Sequence, residues 1–373
     1  MRVAIVTESF YPQVNGVTNS VARVVEHLSA RGHEALVLAP GRGPTDHAGT
    51  PVVRVPSVVL PWYRSFALGR PWRKLEAEFT AFAPDVVHLA SPIALGAQGA
   101  AVAARLGVPA IAVYQTDIVR FAARYRLSVA RPVLWAWLRH VHGGCARTLA
   151  PSSHALMDLR RNGVERVALW GRGVDARMFA PEHRDAGLRA RLAPDGEVLV
   201  GYVGRVAAEK RVERLVPLAA QDGSRVVVVG DGPLRASLQR RMPGAAFLGC
   251  LQGADLARAV ASLDIFVHPG TDETFCQAAQ EALCAGVPVV APSSGGLVDR
   301  VRDGETGLLC APDDPEALGR AVRALVQDAP RRAGMGRRAH ASVVGRSWEV
   351  LGDQLLGHYR AVLESTTSEE AVA

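Results

Sequence analysis

Short runs of β-branched and apolar residues alternate along the chain with longer Ala- and Gly-rich segments of helical spacing, the pattern of a parallel sheet covered on both faces. In the first half the pattern predicts strands at Val3–Val6, Ala35–Ala39, Val52–Val55, Val86–Leu89, Ala110–Val113 and Thr148–Ala150. It then restarts, with strands expected at Val198–Val203, Arg225–Val229, Ala246–Leu248, Ile265–Val267, Val287–Ala291 and Gly307–Cys310. Between the two series, Arg172-Gly173-Val174-Asp175 and Phe179-Ala180-Pro181-Glu182-His183-Arg184 form a Gly- and Pro-bearing stretch suited to a linker. The fold class is therefore α/β, with two Rossmann-like parallel-sheet domains at 1–172 and 173–346 facing a central cleft. Val350, Leu351, Leu355, Tyr359, Val362 and Leu363 recur at helical spacing, so a closing C-terminal helix is expected over 347–364, crossing back to the first domain, with a disordered polar tail over 365–373.

Composition narrows the setting. The 373 residues are 49% apolar and 21% charged, which excludes a disordered chain. A net charge of +7 suits phosphates or an anionic membrane surface. The five cysteines are scattered with no CxxC pair, against a disulfide framework or a zinc cluster, and point to a reducing cytoplasm. Glu8 follows too short an apolar run for a signal peptide. The most apolar stretch, Gly96 to Tyr114, is broken by Arg105 and Gly107-Val108-Pro109, so it falls short of the roughly 18 continuous residues a membrane helix needs. A cytoplasmic protein, peripherally associated with the inner face of the membrane, is expected. Only Lys74 and Lys210 are lysines among the 43 basic residues, and only Asn15, Asn19 and Asn162 are asparagines. A chain so biased toward arginine keeps lysine where a compact ammonium is wanted, which singles out Lys210.

Ligands of open parallel sheets bind beyond the carboxyl ends of the strands, so the loops there carry the candidate chemistry. Tyr11 to Asn19 is longer than a simple connector; Asn15-Gly16 favours a tight turn with positive φ, and Thr18 or Asn19 can cap the following helix. That loop is equally a plain turn and cap or a phosphate-facing loop, and it is not the GxGxxG of a nicotinamide enzyme. Arg205 and Lys210, together after the strand ending at Val203, can clamp two phosphates, or be two solvated cations. After Ile265–Val267, Glu273 lies at a strand-end loop and Glu281 about two turns into the next helix, with the backbone N–H groups of Thr274, Phe275 and Cys276 between them, donors that suit a diphosphate. Gly295-Gly296 after Val287–Ala291 lets backbone come close to a ligand, or simply makes a turn.

The order of these features resembles the retaining GT-B glycosyltransferases of family 4 over nearly the whole chain: Asn15-Gly16-Val17, Gly173-Val174-Asp175 with Phe179 and Pro181, Gly204-Arg205 with Glu209-Lys210, Gly230-Asp231-Gly232-Pro233, Glu273-Thr274-Phe275 with Glu281-Ala282, and Gly295-Gly296 with Asp299, Gly304 and Gly307. Within the family it is similar to bacterial GDP-mannose-dependent α-mannosyltransferases acting on phosphatidylinositol mannosides or glucuronosyl-diacylglycerol, with sulfoquinovosyl-diacylglycerol synthases next. The resemblance implies transfer from a nucleotide-diphosphate sugar with retention, no cofactor and no metal, in keeping with the absence of Asp-x-Asp from either loop. It implies that Arg205 and Lys210 hold the diphosphate, that Glu281 binds the ribose, that Glu273 contacts sugar hydroxyls, and that Asn15 and Gly16 approach the diphosphate from the first domain. Where many relatives have a histidine, this chain reads Tyr114-Gln115-Thr116-Asp117; Gln115 can hydrogen-bond a sugar but cannot exchange a proton near neutrality, and Asp117 takes part of the role or caps a helix.

Two segments mix cations with aromatics: Pro61–Phe66 with Arg70–Lys74, and Arg120 to His140 with Trp135 and Trp137. Such a surface suits an anionic lipid interface and a lipid acceptor, while core tryptophans beside solvated arginines are the plainer alternative. No nucleic-acid reader motif is present and no protein partner is evident. A nucleotide-sugar epimerase and a UDP-sugar donor are the rival readings.

Overall fold

The computed structural model describes residues 1–13, 15–60, 63–70, 72–119 and 131–370, with the side chains of 59–60, 63–67 and 366–370 outside that description. The chain divides into two units, Met1–Arg172 with Trp348–Ala373, and Gly173–Ser347.

Unit 1 holds β1 (Arg2–Val6), β2 (Glu34–Pro40), β3 (Asp46–His47), β4 (Thr50–Val55), β5 (Ser57–Leu60), β6 (Tyr63–Gly69), β7 (Val86–Leu89), β8 (Ala110–Val113), β9 (Arg147–Ala150) and β10 (Val167–Leu169). Its main sheet runs β10-β9-β8-β7-β1-β2-β4-β3, parallel throughout except for the β3–β4 pair, and β5 with β6 makes a separate hairpin. Val3 to Val6 are wholly buried, as central strands covered on both faces require. The helices are α1 (Gly16–Ala30), α2 (Leu75–Phe82), α3 (Leu95–Arg105), α4 (Arg131–Gly143) and α5 (Ser153–Arg161).

Unit 2 repeats the plan with β11 (Val198–Val203), β12 (Ser224–Val229), β13 (Ala246–Gly249), β14 (Ile265–Val267), β15 (Val289–Pro292) and β16 (Gly307–Cys310), in the order β13-β12-β11-β14-β15-β16 and all parallel. Its helices are α6 (Ala186–Leu192), α7 (Arg235–Arg241), α8 (Gly253–Ala261), α9 (Gln277–Cys284), α10 (Ala317–Gln327) and α11 (Ala329–Val343). Strand order reverses between β1 and β7 in unit 1 and between β11 and β14 in unit 2; these reversals open the crevices where α/β sheets bind ligands.

Two expectations are corrected here. The stretch after Arg172 is no solvated linker, because Val174 and Phe179 are buried in the core of unit 2. The C-terminal helix, α12 (Trp348–Glu370), continues through the tail expected to be disordered from 365; Ser365 to Glu370 contain no Gly or Pro to stop it, and Ser365 Oγ donates back to the Val362 carbonyl. Helix α12 packs within unit 1. Trp170 Nε1 donates to the Leu351 carbonyl at 2.8 Å, and the buried Tyr359 hydroxyl lies 2.7 Å from His88 Nδ1.

Burial pushes His88 and His142 down to about 4. Both are therefore neutral in the fold but charged in the unfolded chain below pH 6.5. Their contribution is fully present above that pH and is lost as pH falls, by about 2 kcal/mol for each imidazole at pH 5. All six tryptophans belong to unit 1. Urea unfolding followed by tryptophan fluorescence is therefore expected to show a falling midpoint between pH 7 and pH 5; a constant midpoint would contradict it.

Candidate active site

The site in unit 2 is built at the β11/β14 reversal. Strand β11 delivers the segment Gly204–Lys210, which closes in a short 3-10 turn over Ala208–Lys210. Strand β14 delivers His268 and the loop to Glu273. Lys210 Nζ donates to Glu273 Oε1 at 2.5 Å, joining two residues 63 positions apart. Their side chains are 31% and 14% exposed, so the ammonium retains access to solvent while the carboxylate is nearly enclosed. Burial works against the charge on each. For Lys210 the Glu273 carboxylate outweighs it and raises the ammonium above its ordinary value. For Glu273, Lys210 and His268 outweigh it and hold the carboxyl well below the usual carboxylate range.

Arg205, a third exposed, places Nη1 3.1 Å from Glu209 Oε1 on the same segment. Thr274 is half-buried, and the Phe275 ring is buried against Arg300, whose guanidinium carbon sits 4.6 Å from its centre, so that ring is turned into the fold. Cys276 caps α9 in a left-handed conformation, φ 69°, that side-chain-bearing residues rarely adopt. Glu281 is buried on α9. His268, Glu273 and Cys276 bring a ring nitrogen, a carboxylate oxygen and a thiol within 4.8 Å of one another. With the Lys210 ammonium already on the same carboxylate, this cluster carries its own cation.

Gly295-Gly296 contacts backbone. The Gly296 amide donates to the Glu273 carbonyl at 2.7 Å, and Ser294 Oγ to the Thr271 carbonyl at 2.8 Å. A Cβ on Gly296 would stand 2.5 Å from the Thr274 carbonyl oxygen, and one on Gly295, at φ 59°, 2.4 Å from that of Glu273. The glycines thus let one strand-end loop clamp another. Gly296→Ala is expected to lower stability by about 1–3 kcal/mol, as overpacking does; wild-type melting would show the contact to be irrelevant.

In unit 1, Asn15 itself caps α1. Its Oδ1 accepts from the amides of Val17 and Thr18, and Nδ2 donates to Ser9 Oγ at 2.6 Å. The expected positive-φ turn is absent: Asn15 is extended at φ −156° and Gly16 is the first helical residue. Arg172 Nη2 donates to the buried Gln115 Oε1 at 2.8 Å, and a Cβ on Gly16 would lie 2.7 Å from Arg172 Nη1. Two predicted residues from separate loops, Gly16 and Gln115, therefore meet around one arginine. Asp117 is half-buried beside them in sequence, directly before a helical turn at 118–119.

Sequence reasoning missed His268, Arg172 and Glu8. Glu8, fully buried at the end of β1, accepts from the amides of Gly69, Ala94 and Leu95, fixing the start of α3 and the end of β6. Burial raises its carboxyl despite these bonds. The available signal was position, since Glu8 and His268 each follow a strand at a point of reversal.

Among the described residues no helix is long and apolar enough to cross a membrane. Helix α4 separates its two tryptophans: Trp135 is buried in a core cluster, while Trp137 is 42% and Val133 70% exposed, beside exposed Arg131 and Arg139. Trp72 is half-buried and Arg70, Arg73 and Lys74 are exposed. The aromatic and basic side chains expected at 61–66 and 120–130 lie outside the described residues.

A family model described as Glycosyltransferase Family 4 matches residues 14–177, and one described as Glycosyl transferases group 1 matches residues 184–342. A "GDP-mannose-dependent alpha-mannosyltransferase" of Mycolicibacterium smegmatis is 52% identical over 370 residues, covering 97% of this chain and 98% of that protein. The chain belongs to this glycosyltransferase family. It is also 32% identical to "Sulfoquinovosyl transferase SQD2" of Arabidopsis thaliana, over 93% of this chain and 71% of that protein. The solved structure of a sucrose-phosphate synthase from Thermosynechococcus elongatus aligns with a TM-score of 0.80 at 21% identity, covering 98% of this glycosyltransferase and 99% of that chain. The fold is GT-B.

Proposed function

We propose that this glycosyltransferase moves mannose from GDP-mannose to a membrane glycolipid with retention of the α configuration and without a divalent metal. The observation that carries the donor is the 52% identity, across almost the full length of both chains, to a protein named for GDP-mannose dependence. The site supplies a chemistry compatible with it. Lys210 has three N–H donors, one committed to Glu273, and with Arg205 it stabilises the charge that develops on the departing diphosphate. Glu273, held by its cationic neighbours, stays ionised and accepts from sugar hydroxyls, while Glu281 takes the ribose. The backbone of Thr274, Phe275 and Cys276 at the start of α9 adds N–H groups for the same diphosphate.

The leaving phosphate then assists the incoming hydroxyl on the same face of the sugar. This differs from a retaining glycosidase, where a carboxylate nucleophile and a general acid flank the bond and water is the acceptor. A lipid acceptor is supported by the exposed Val133, Trp137, Arg131 and Arg139 on α4, an apolar and cationic surface suited to peripheral contact with an anionic membrane. The 32% identity to a protein named for sulfoquinovosyl transfer favours a different donor sugar as the second reading.

The test is transfer of labelled mannose from GDP-mannose into the lipid phase of mixed bacterial membrane lipids in EDTA, with the anomeric configuration of the product read by NMR. A labelled α-linked glycolipid is the expected result. A β-linked product would overturn retention, and label remaining in water-soluble product would overturn the lipid acceptor.

A further inference from the structure

His268 stands at the C-terminal end of β14, 3% exposed, with its ring stacked at 28° on that of Tyr202 from β11. Its Nε2 lies 3.0 Å from Glu273 Oε1, the oxygen that also accepts from Lys210 Nζ. The other ionisable groups acting on this cluster are Cys276 at the start of α9, Glu209 on the turn of Lys210, and the Tyr202 phenol, which burial keeps protonated.

This protein offers its own contrast. His88 and His142, equally buried in unit 1 beside neutral hydroxyls, are pushed down to about 4. For His268, burial acts in the same direction, but Cys276 and Glu273 outweigh it and raise the imidazole to about 10. Lys210, His268 and Arg205, the partner of Glu209, give three positive charges against the two negative charges of Glu273 and Glu209. Enclosed net charge is unfavourable unless a counter-charge arrives, so the arrangement favours an anionic ligand.

We propose that His268 is a positioning residue that shares Glu273 Oε1 with Lys210 as an imidazolium, fixing the carboxylate and giving the cluster a net positive charge matched to the diphosphate of the donor. The second half rests on the donor reading above; the first half does not. His268→Gln keeps an N–H donor and loses the charge. His268→Phe keeps a ring against Tyr202 and loses both.

Two measurements on the full chain decide it. In long-range proton–nitrogen NMR of histidine-labelled protein without ligand, the signal missing from His268→Gln is expected to be that of a doubly protonated ring at pH 8, and to become neutral in Glu273→Gln. A neutral His268 at pH 8 in the wild type would overturn the proposal whatever the donor is. In titrations with GDP, His268→Gln is expected to bind about tenfold more weakly, and His268→Phe more weakly still, as lost charge-assisted contacts imply. Unchanged GDP affinity alongside a lowered melting temperature would reduce His268 to a packing residue and overturn the charge-matching role. If the wild type binds neither GDP nor UDP, the donor reading fails, while the NMR signal still decides whether His268 holds Glu273.

Discussion

Lys210→Ala is expected to lower sugar transfer by about 10²–10³-fold while the protein stays folded, the range seen when one preorganised donor to a developing negative charge is removed. The expectation follows from geometry. Lys210 touches the Glu273 carboxylate at 2.5 Å, yet its side chain is 31% exposed, so the ammonium both orients a site carboxylate and remains open to a ligand. Alanine removes one of the two partners from Glu273 and, on the proposed donor reading, the cation from the diphosphate. Because His268 still stands 3.0 Å from the same oxygen, the carboxylate is not abandoned and global unfolding is not expected. Steady-state kinetics with circular dichroism as the folding control would check this. A fall in kcat with little change in KM would place the ammonium's effect in the transition state, and equal binding losses in both states would appear in KM alone. Lys210→Arg is not expected to restore activity, since a planar fork does not replace a compact ammonium wedged on one oxygen.

Glu273→Gln is the second large effect. It leaves Lys210 and His268 facing a neutral amide, two cations with no anion between them, and transfer is expected to fall by at least about 10²-fold, comparable to removing a single polar transition-state contact. It also changes the response of unit 2 to pH. In the wild type the Glu273 carboxyl is depressed, so its contribution is present above its unfolded value of 4.5 and lost as pH falls. His268 is raised from 6.5 to about 10, so its contribution is full below 6.5 and lost as pH rises toward 10. Together they favour the folded cluster most between about pH 4.5 and 6.5. Hydrogen exchange of peptides covering β11 and β14 is expected to show slowest opening in that window for the wild type and a flatter profile for Glu273→Gln. Matching profiles would mean that the pair contributes nothing to stability.

Much of this architecture was legible because its strands are buried on both faces and therefore appear as continuous apolar runs rich in β-branched residues, as in Val3–Val6 and Val226–Val229. The elements that escaped are those whose sequence carries little pattern. Strand β10 has three residues at the edge of its sheet, and β3 has two. Hairpin β5–β6 stands apart from the main sheet, with Val58 47% exposed, so no core-facing run announced it. Ser365 to Glu370 reads as a polar tail by composition, but nothing in it breaks a helix that α12 has already nucleated.

The site was legible where one residue type was conspicuous. Lys210 stood out against an arginine-rich background, and the strand-end position of Glu273 suggested exposure to a ligand. Their pairing was not legible, because it depends on β11 and β14 being neighbours across a chain separation of 63 residues. Arg172 escaped for the same reason, since sheet order brings Gln115 to it; His268 shares a loop with Glu273, but their contact depends on how that loop folds back. Gly295-Gly296 was seen as unusual but given two readings, and the structure assigns the close approach to the backbone of the Glu273 loop.

The central claim is that the Lys210–Glu273 site serves a guanosine-diphosphate sugar without a metal. The most direct measurement compares release of GDP from GDP-mannose with release of UDP from UDP-glucose by the purified chain, in EDTA, with membrane lipids present and with Lys210→Ala alongside. Lipid-stimulated GDP release that survives EDTA and disappears in the variant is the expected result. UDP release in its place, or GDP release unchanged in Lys210→Ala, would contradict the account.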